Sequence, residues 1–233
     1  MIDSRPKVSA SMTTLGLIGG GRIGGTVARL AVTAGHQVLL SNSRGPDTLK
    51  DLAAELGPLA RATTGREAAE GGELVVVTIP LRAVQSVPPG PLAGKVVIDT
   101  CNYYPQRDGQ FPELDRSALT SSELNQRHLT GSAVVKAFNN IYYRHLESLA
   151  RPAGAADRSY LPIAGDDAAA KAAVTAFLDS IGYGAVDAGP LAEGWRQQPG
   201  TPVYGGAYGS VQDPKGSPAS ADAIRKALAA AER

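Results

Sequence analysis

The sequence predicts an α/β fold, a doubly wound parallel sheet with a short C-terminal extension. Three observations carry this. Apolar runs alternate with helical patterns almost from end to end, the order expected of βαβ units with right-handed crossovers and helices on both faces. The run "ELVVVTIP" (73–80) is β-branched and apolar at successive positions, as a central strand covered on both faces requires. A glycine-rich turn, "GLIGGGRIGG", joins the first apolar run to the first helical pattern.

Each element follows in order. "TLGLI" (14–18) predicts the first strand, and "RIGGTVARLAVTA" (22–34) a helix closed by Gly35. "QVLL" (37–40) is the second strand. In "PDTLKDLAAELG" (46–57) Pro46 suits a first helical turn, Leu49, Leu52, Ala53 and Leu56 share one face, and Gly57 ends the helix. "LARAT" (59–63) is a weaker third strand, after which Thr64 and Glu67 have the spacing of a capping box. Beyond 73–80 comes a short helical pattern, then strands at "KVVID" (95–99), "AVVKAF" (133–138), "YLPIAG" (160–165) and "GAVDAG" (184–189). A helix at about 167–180 precedes the last strand, and "SADAIRKALAAAE" (220–232) predicts a C-terminal helix after a Gly/Pro-rich loop. Residues 1–12 read as a flexible leader, with Met12 an alternative start, and residues 13–233 as one domain with its extension from about 190.

Composition narrows the function. A chain of 233 residues buries roughly 70% of its unfolded surface, enough for a full core. Hydrophobic content of 43%, 19% charged residues and a net charge of +1 describe an ordinary globular chain, with no basic footprint for nucleic acid or a membrane surface. No window approaches the length of a membrane-spanning helix. The single cysteine, Cys101, excludes an internal disulfide and a cysteine zinc cluster. With no secretory signal, the expected compartment is the reducing cytoplasm.

Gly19, Gly21 and Gly24 fall in the pattern G-x-G-x-x-G. In such a turn the first glycine permits the tight bend, the second lets a pyrophosphate approach the backbone, and the third lets helix and strand pack closely. The N–H groups and positive dipole end of the next helix then hold phosphate. The residue ending the second strand selects between NAD and NADP. An acid there accepts from the ribose hydroxyls and repels a 2′-phosphate. Here the residues are Ser41, Asn42, Ser43 and Arg44, none acidic, followed by "GP". Hydroxyls, an amide and a guanidinium suit a phosphate monoester, so the expected cofactor is NADP(H). Arg22 is the weaker choice, either over the adenine or beside the phosphate.

Ligands of a doubly wound sheet lie outside the carboxyl ends of its strands. The loops concerned are "TIPLRA" (78–83), "DTCNYYP" (99–105) and "KAFNNIYY" (136–143). Thr78, Ile79 and Pro80 stand where a nicotinamide ribose passes, and Asn102, Tyr103 and Asn139 offer polar and stacking groups beside a flat ring. Two readings stand for the rest: Tyr103 and Tyr104 face that ring or pack, and Lys136 acts in the cleft or snorkels from a strand end. Cys101 reads as a small filler beside the cofactor. His36, His128 and His145 read as structural, and no catalytic triad or metal pair is present.

Together "GLIGGGRIGG", "SNSRGP", "VVVTIP", "VVIDTCNYY", "VVKAFNNI", "PIAGDD" and "DAGPLAEGW" resemble, in that order, the NADPH-dependent coenzyme F420 reductases (F420H2:NADP oxidoreductases) over about residues 14–205. The resemblance implies a Rossmann NADP-binding domain, usually a homodimer, that moves a hydride between NADP and the 5-deazaflavin F420. It implies a phosphate turn of Gly20, Gly21, Arg22 and Ile23, and a 2′-phosphate site of Ser43 and Arg44 with Thr48. It places Ile79 and Pro80 along the nicotinamide, and Asn102, Asn139 and Ile141 around the ring stack. The tail "TPVYGGAYGS" and a short Ala-rich helix differ from the longer apolar helical ending of some members. Direct hydride transfer needs no dedicated catalytic side chain, so none is assigned. Two alternatives remain open: an NADPH-dependent reductase of a small carbonyl, imine or flavin-like acceptor, and an NADPH-binding protein without chemistry.

Overall fold

The β-branched runs assemble into one sheet of eight strands: β1 (Thr14–Ile18), β2 (Gln37–Ser41), β3 (Ala60–Ala62), β4 (Leu74–Val77), β5 (Val96–Asp99), β6 (Ala133–Lys136), β7 (Tyr160–Gly165) and β8 (Gly184–Asp187). Their order across the sheet is β3-β2-β1-β4-β5-β6-β7-β8. The structure, a computed structural model, describes residues 12–233. Almost all of the expected leader, residues 1–11, lies outside that range.

Both faces are covered, as the unbroken apolar runs require. Val76, Ile98 and Val135 point to one side and pack with Leu15, Leu17, Val27 and Ala31; Val75, Val77, Val97 and Val134 point to the other and pack with Leu81, Val84 and Leu129. Each of the three valines at 75–77 is at most 1% exposed, a burial that contributes roughly 1.5–3 kcal/mol per side chain. The helices are α1 (Arg22–Thr33), α2 (Lys50–Leu56), α3 (Gly65–Gly71), the single turns α4 (Pro105–Asp108) and α5 (Pro112–Asp115), α6 (Ser121–His128), α7 (Tyr143–Ser148), α8 (Ala168–Ser180) and α9 (Ala221–Ala229). The expected 46–57 helix is divided: Pro46–Leu49 forms a 3₁₀ turn, and the α-helix begins at Lys50.

The doubly wound, mostly parallel sheet is as the sequence predicts, with one local departure. The sheet is parallel except between β6 and β7, which run antiparallel with Val135 opposite Gly165 and Lys136 opposite Ala164. A parallel return needs a crossover that carries the chain back along the sheet. The segment between these strands has only the short helix α7, which packs on α1 instead. The chain therefore enters β7 from the cleft side, turning first at Phe138 with φ 62°. β7, α8 and β8 then form a parallel unit of the usual kind.

The strand order reverses direction between β1 and β4, which places a crevice outside their carboxyl ends. The tail returns to this region. Val203 and Tyr208 are fully buried, the Tyr208 hydroxyl donates to the Tyr160 carbonyl at 2.9 Å, and Ile224 of α9 completes the core.

The α3 capping box forms as its spacing implies: Thr64 Oγ1 accepts from the Glu67 amide at 3.2 Å, and the Glu67 carboxylate accepts from the Thr64 amide at 2.8 Å. Those hydrogen bonds from the Thr64 backbone and hydroxyl hold the Glu67 carboxyl below its ordinary value. A lowered carboxylate stabilises above its unfolded-state value, and the contribution is lost as pH falls through the folded-state value. Thr64→Ala is therefore expected to cost about 1 kcal/mol and lower the midpoint of thermal unfolding by roughly 2–4 °C at neutral pH. The difference between the two proteins shrinks in acid, below the carboxylate range.

Candidate functional site

The glycine turn is fixed by backbone against backbone. Gly19 has φ 122°, and a Cβ there would lie 2.2 Å from the Thr78 carbonyl oxygen. A Cβ at Gly24 would lie 2.0 Å from the Gly19 carbonyl oxygen. Gly21, the N-cap of α1, is the opposite case: a Cβ there meets nothing, because the residue faces open space. α1 has neither a side-chain cap nor an acid in its first turn, so its leading N–H groups are left for an external acceptor. This is the cradle a pyrophosphate requires, and the residues present fit the nucleotide.

The β2 end lies against this turn, with the Gly19 amide donating to the Ser41 carbonyl at 2.9 Å. Ser41 itself is buried and donates to the Leu17 carbonyl. Asn42 builds the loop: its carbonyl oxygen accepts from the Arg44 amide at 2.8 Å and its Nδ2 donates to Thr48 Oγ1 at 2.9 Å. Thr48 in turn donates to the Gly45 carbonyl. Both side chains are thus spent on the turn. Ser43 and Arg44 remain exposed, and among the described residues no carboxylate pairs with Arg44. Fixed backbone and free guanidinium are what a 2′-phosphate site requires.

Alongside is a cavity of about 620 Å³. Gly21, Arg22, Ile23, Thr78, Ile79, Pro80, Cys101, Asn102, Asn139 and Ile141 line it; Gly19, Gly20, Gly24, Asn42, Ser43, Arg44 and Thr48 lie outside it. Asn102 and Asn139 form a reciprocal pair. Asn102 Nδ2 donates to the Asn139 backbone carbonyl at 2.8 Å, and Asn139 Nδ2 donates to Asn102 Oδ1 at 3.0 Å. The Cys101 thiol donates to the Ile79 carbonyl at 3.2 Å, and burial first, then Asp99, pushes its pKa well up. A thiol so held is a packing group, not a nucleophile.

Lys136 does not snorkel. It is fully buried, with Nζ donating to the Cys101 carbonyl at 3.0 Å and to Ser121 and Ser122 at 3.2 and 3.1 Å. Asp99, opposite it in the sheet, accepts from the Cys101 amide at 2.8 Å and from Ser122 at 2.6 Å. Burial lowers the Lys136 pKa, and Asp99 opposes that shift. The three histidines are tied within the structure: His36 to Ser180, His128 to the Val87 carbonyl and His145 to the Asp213 carbonyl.

Several lining residues escape the sequence reading. Tyr103 turns away and donates to Asp115 at 2.6 Å, whereas Tyr104 faces the cavity. Adjacent residues in extended chain point to opposite sides, and the sequence does not say which faces in. Tyr142 and Tyr143 line the wall beside α1, with Arg22 stacked 5.3 Å from the Tyr143 ring centre. Arg144 donates to the Tyr143 hydroxyl, and this bond leads the causes that lower the pKa of Tyr143. Tyr204 and Gly205 come from the tail, and Arg107 from α4. Arg22 and Arg107 are the charged residues of the lining, which holds no carboxylate, so the cavity favours anionic ligands.

Residues 14–103 match the family described as "NADP oxidoreductase coenzyme F420-dependent". No curated protein sequence matches the chain. Among solved structures, a hypothetical protein, SMa0349 of Sinorhizobium meliloti, is 28% identical with a TM-score of 0.72, over 83% of this chain and 93% of that one. A protein proposed as an F420-dependent NADP reductase, from Arthrobacter sp. FB24, is 26% identical with a TM-score of 0.65, over 79% of this chain and 87% of that one. An imine reductase from Pseudomonas sp. shares the fold at 16% identity and a TM-score of 0.55, over 78% of this chain and 57% of that one. The likeness to the coenzyme F420-dependent NADP oxidoreductase family thus lies in the nucleotide-binding part of the chain, residues 14–103.

Proposed function

We propose that this NADP-dependent oxidoreductase passes a hydride between NADPH and the deazaflavin coenzyme F420. The observation that supports this best is one continuous crevice. It runs from an uncapped helix terminus, past the Ile79–Pro80 and Asn102–Asn139 loops, to a wall of tyrosines. A reduced nicotinamide bound there supplies the hydride. The chain's own residues supply position, which accounts for most of the rate when two flat rings exchange hydride directly.

In this reading the α1 amides at Gly21–Ile23 hold the pyrophosphate. Ser43 and Arg44 hold the 2′-phosphate, on a loop that Asn42 and Thr48 keep in shape. Ile79, Pro80 and Cys101 provide a dry face for the nicotinamide, and the Asn102–Asn139 pair fixes the opposite loop. The fold shared with the imine reductase keeps a small carbonyl or imine in view as acceptor. The chain spans only 57% of that enzyme, and its cleft wall comes from its own tail. That shorter, open arrangement favours a flat cofactor over an enclosed small substrate.

Two measurements test the reading. Arg44→Ala is expected to weaken NADPH binding about 10- to 100-fold, the worth of a charge-assisted contact, and to leave NADH binding unchanged. Equal affinity of the unsubstituted protein for the two nucleotides overturns the 2′-phosphate site. For the acceptor, loss of the oxidised F420 absorbance is followed after adding NADPH. Turnover of an imine or carbonyl without turnover of F420 transfers the assignment to that acceptor. Tight NADPH binding with no oxidation by any of them makes the protein a nucleotide sensor.

A further inference from the structure

Tyr104 and Tyr204 lie a hundred residues apart in sequence, and their hydroxyls are hydrogen-bonded to one another in the cavity wall. Two hydroxyls carry two protons, and their mutual bond uses one. Among the described residues neither oxygen has another hydrogen-bond partner, so one O–H is left unspent. Either oxygen can donate in that bond, and Arg107, stacked on the Tyr104 ring, favours the arrangement in which Tyr204 donates and Tyr104 accepts. The unspent O–H then belongs to Tyr104.

Both tyrosines are held in place. Asn140 grips the tail on either side of Tyr204: its Nδ2 donates to the Val203 carbonyl at 3.1 Å, and its backbone carbonyl accepts from the Gly205 amide at 2.8 Å. The Tyr104 amide donates to the Asp108 carboxylate at 3.0 Å. The Arg107 guanidinium stacks 4.8 Å from the Tyr104 ring centre, itself anchored on Asp108 and the Asn102 carbonyl. A phenolate at Tyr104 would face a guanidinium and accept a hydrogen bond from Tyr204, the two features that stabilise such an anion.

We propose that Tyr104 is the proton donor to the hydride acceptor and that Tyr204 is its positioning residue. The inference rests on the hydride-transfer reading above. A reduced nicotinamide gives the acceptor a hydride at carbon, and the electron pair collects on a conjugated nitrogen or oxygen. The Tyr104 O–H bond breaks and a new N–H or O–H bond forms there. Tyr104 is left as phenolate, held by Tyr204 and Arg107, until solvent returns a proton. The same balance applies to a deazaflavin, an imine or a carbonyl.

The test compares the full chain with Tyr104→Phe, Tyr204→Phe and, as control, Tyr103→Phe, whose hydroxyl points away from the cavity. Equilibrium binding of oxidised F420 is followed by its fluorescence, NADPH binding separately, and single-turnover reduction in H₂O and D₂O. Tyr104→Phe is expected to weaken F420 binding about 5-fold, leave NADPH binding unchanged and slow reduction by about 10²-fold or more, with loss of the solvent isotope effect. Tyr204→Phe is expected to slow reduction by less and to keep an isotope effect; Tyr103→Phe is expected to match the unsubstituted protein. Unchanged F420 binding and rate in Tyr104→Phe overturn the proposal, as does an equal loss in Tyr103→Phe. If the unsubstituted protein reduces an imine or carbonyl but not F420, the F420 reading falls and the comparison is made on that acceptor. If it oxidises NADPH with none of them, both readings fall.

Discussion

Beneath the cleft lies a buried ammonium group, and much of the site is arranged around the need to satisfy it. An unpaired charge in the interior costs several kcal/mol, so its partners are not free to move. Lys136 meets that need with the Cys101 carbonyl and two α6 hydroxyls, while Asp99 takes the Cys101 amide and one of the same hydroxyls. The peptide units around Cys101 are thereby held at both ends. From there the loop carries Asn102 and Tyr104 to the cavity. The constraint reaches the tail too: the Lys136 chain passes so close to Gly194 that a Cβ would sit 3.2 Å from its Cδ. The glycine of "LAEGW" and the lysine of "VVKAF" are thus parts of one arrangement.

The parts of the molecule that were legible in the sequence are those set by local physics. A β-branched run covered on both faces leaves little choice but a central strand, as at β4, β5 and β6, while the edge strands β3 and β8 carry weaker patterns. The glycine turn is legible for the same reason, since Gly19 and Gly24 answer to sterics within a few residues. The end of β2 carries a readable absence, a missing acid, although Asn42 and Thr48 serve the turn and leave the exposed positions to Ser43 and Arg44.

What escaped depends on long-range placement. Nothing near "VYGG" announces that Tyr204 returns to the cleft; that follows from the segment after β8, which runs back past Lys136, and from the grip of Asn139 and Asn140 on it. Tyr103 and Tyr104 differ only in the side of the chain from which they project. Lys136 resembles a surface lysine until its neighbours, β5 and α6, are folded against it. The local pattern is silent on each of these because the deciding atoms are 12 to 100 residues away.

The antiparallel step between β6 and β7 has a consequence for how such a site can diversify. It starts β7 at the cleft, and the segment after β8 runs back to the same crevice, so the glycine turn and the Tyr204 wall of one cavity come from separate stretches of the polypeptide. Two recognition problems are thereby uncoupled. Substitutions around Tyr204 can therefore re-shape that wall without touching Gly19 and Gly24, whose close backbone contacts fix the turn on the other side.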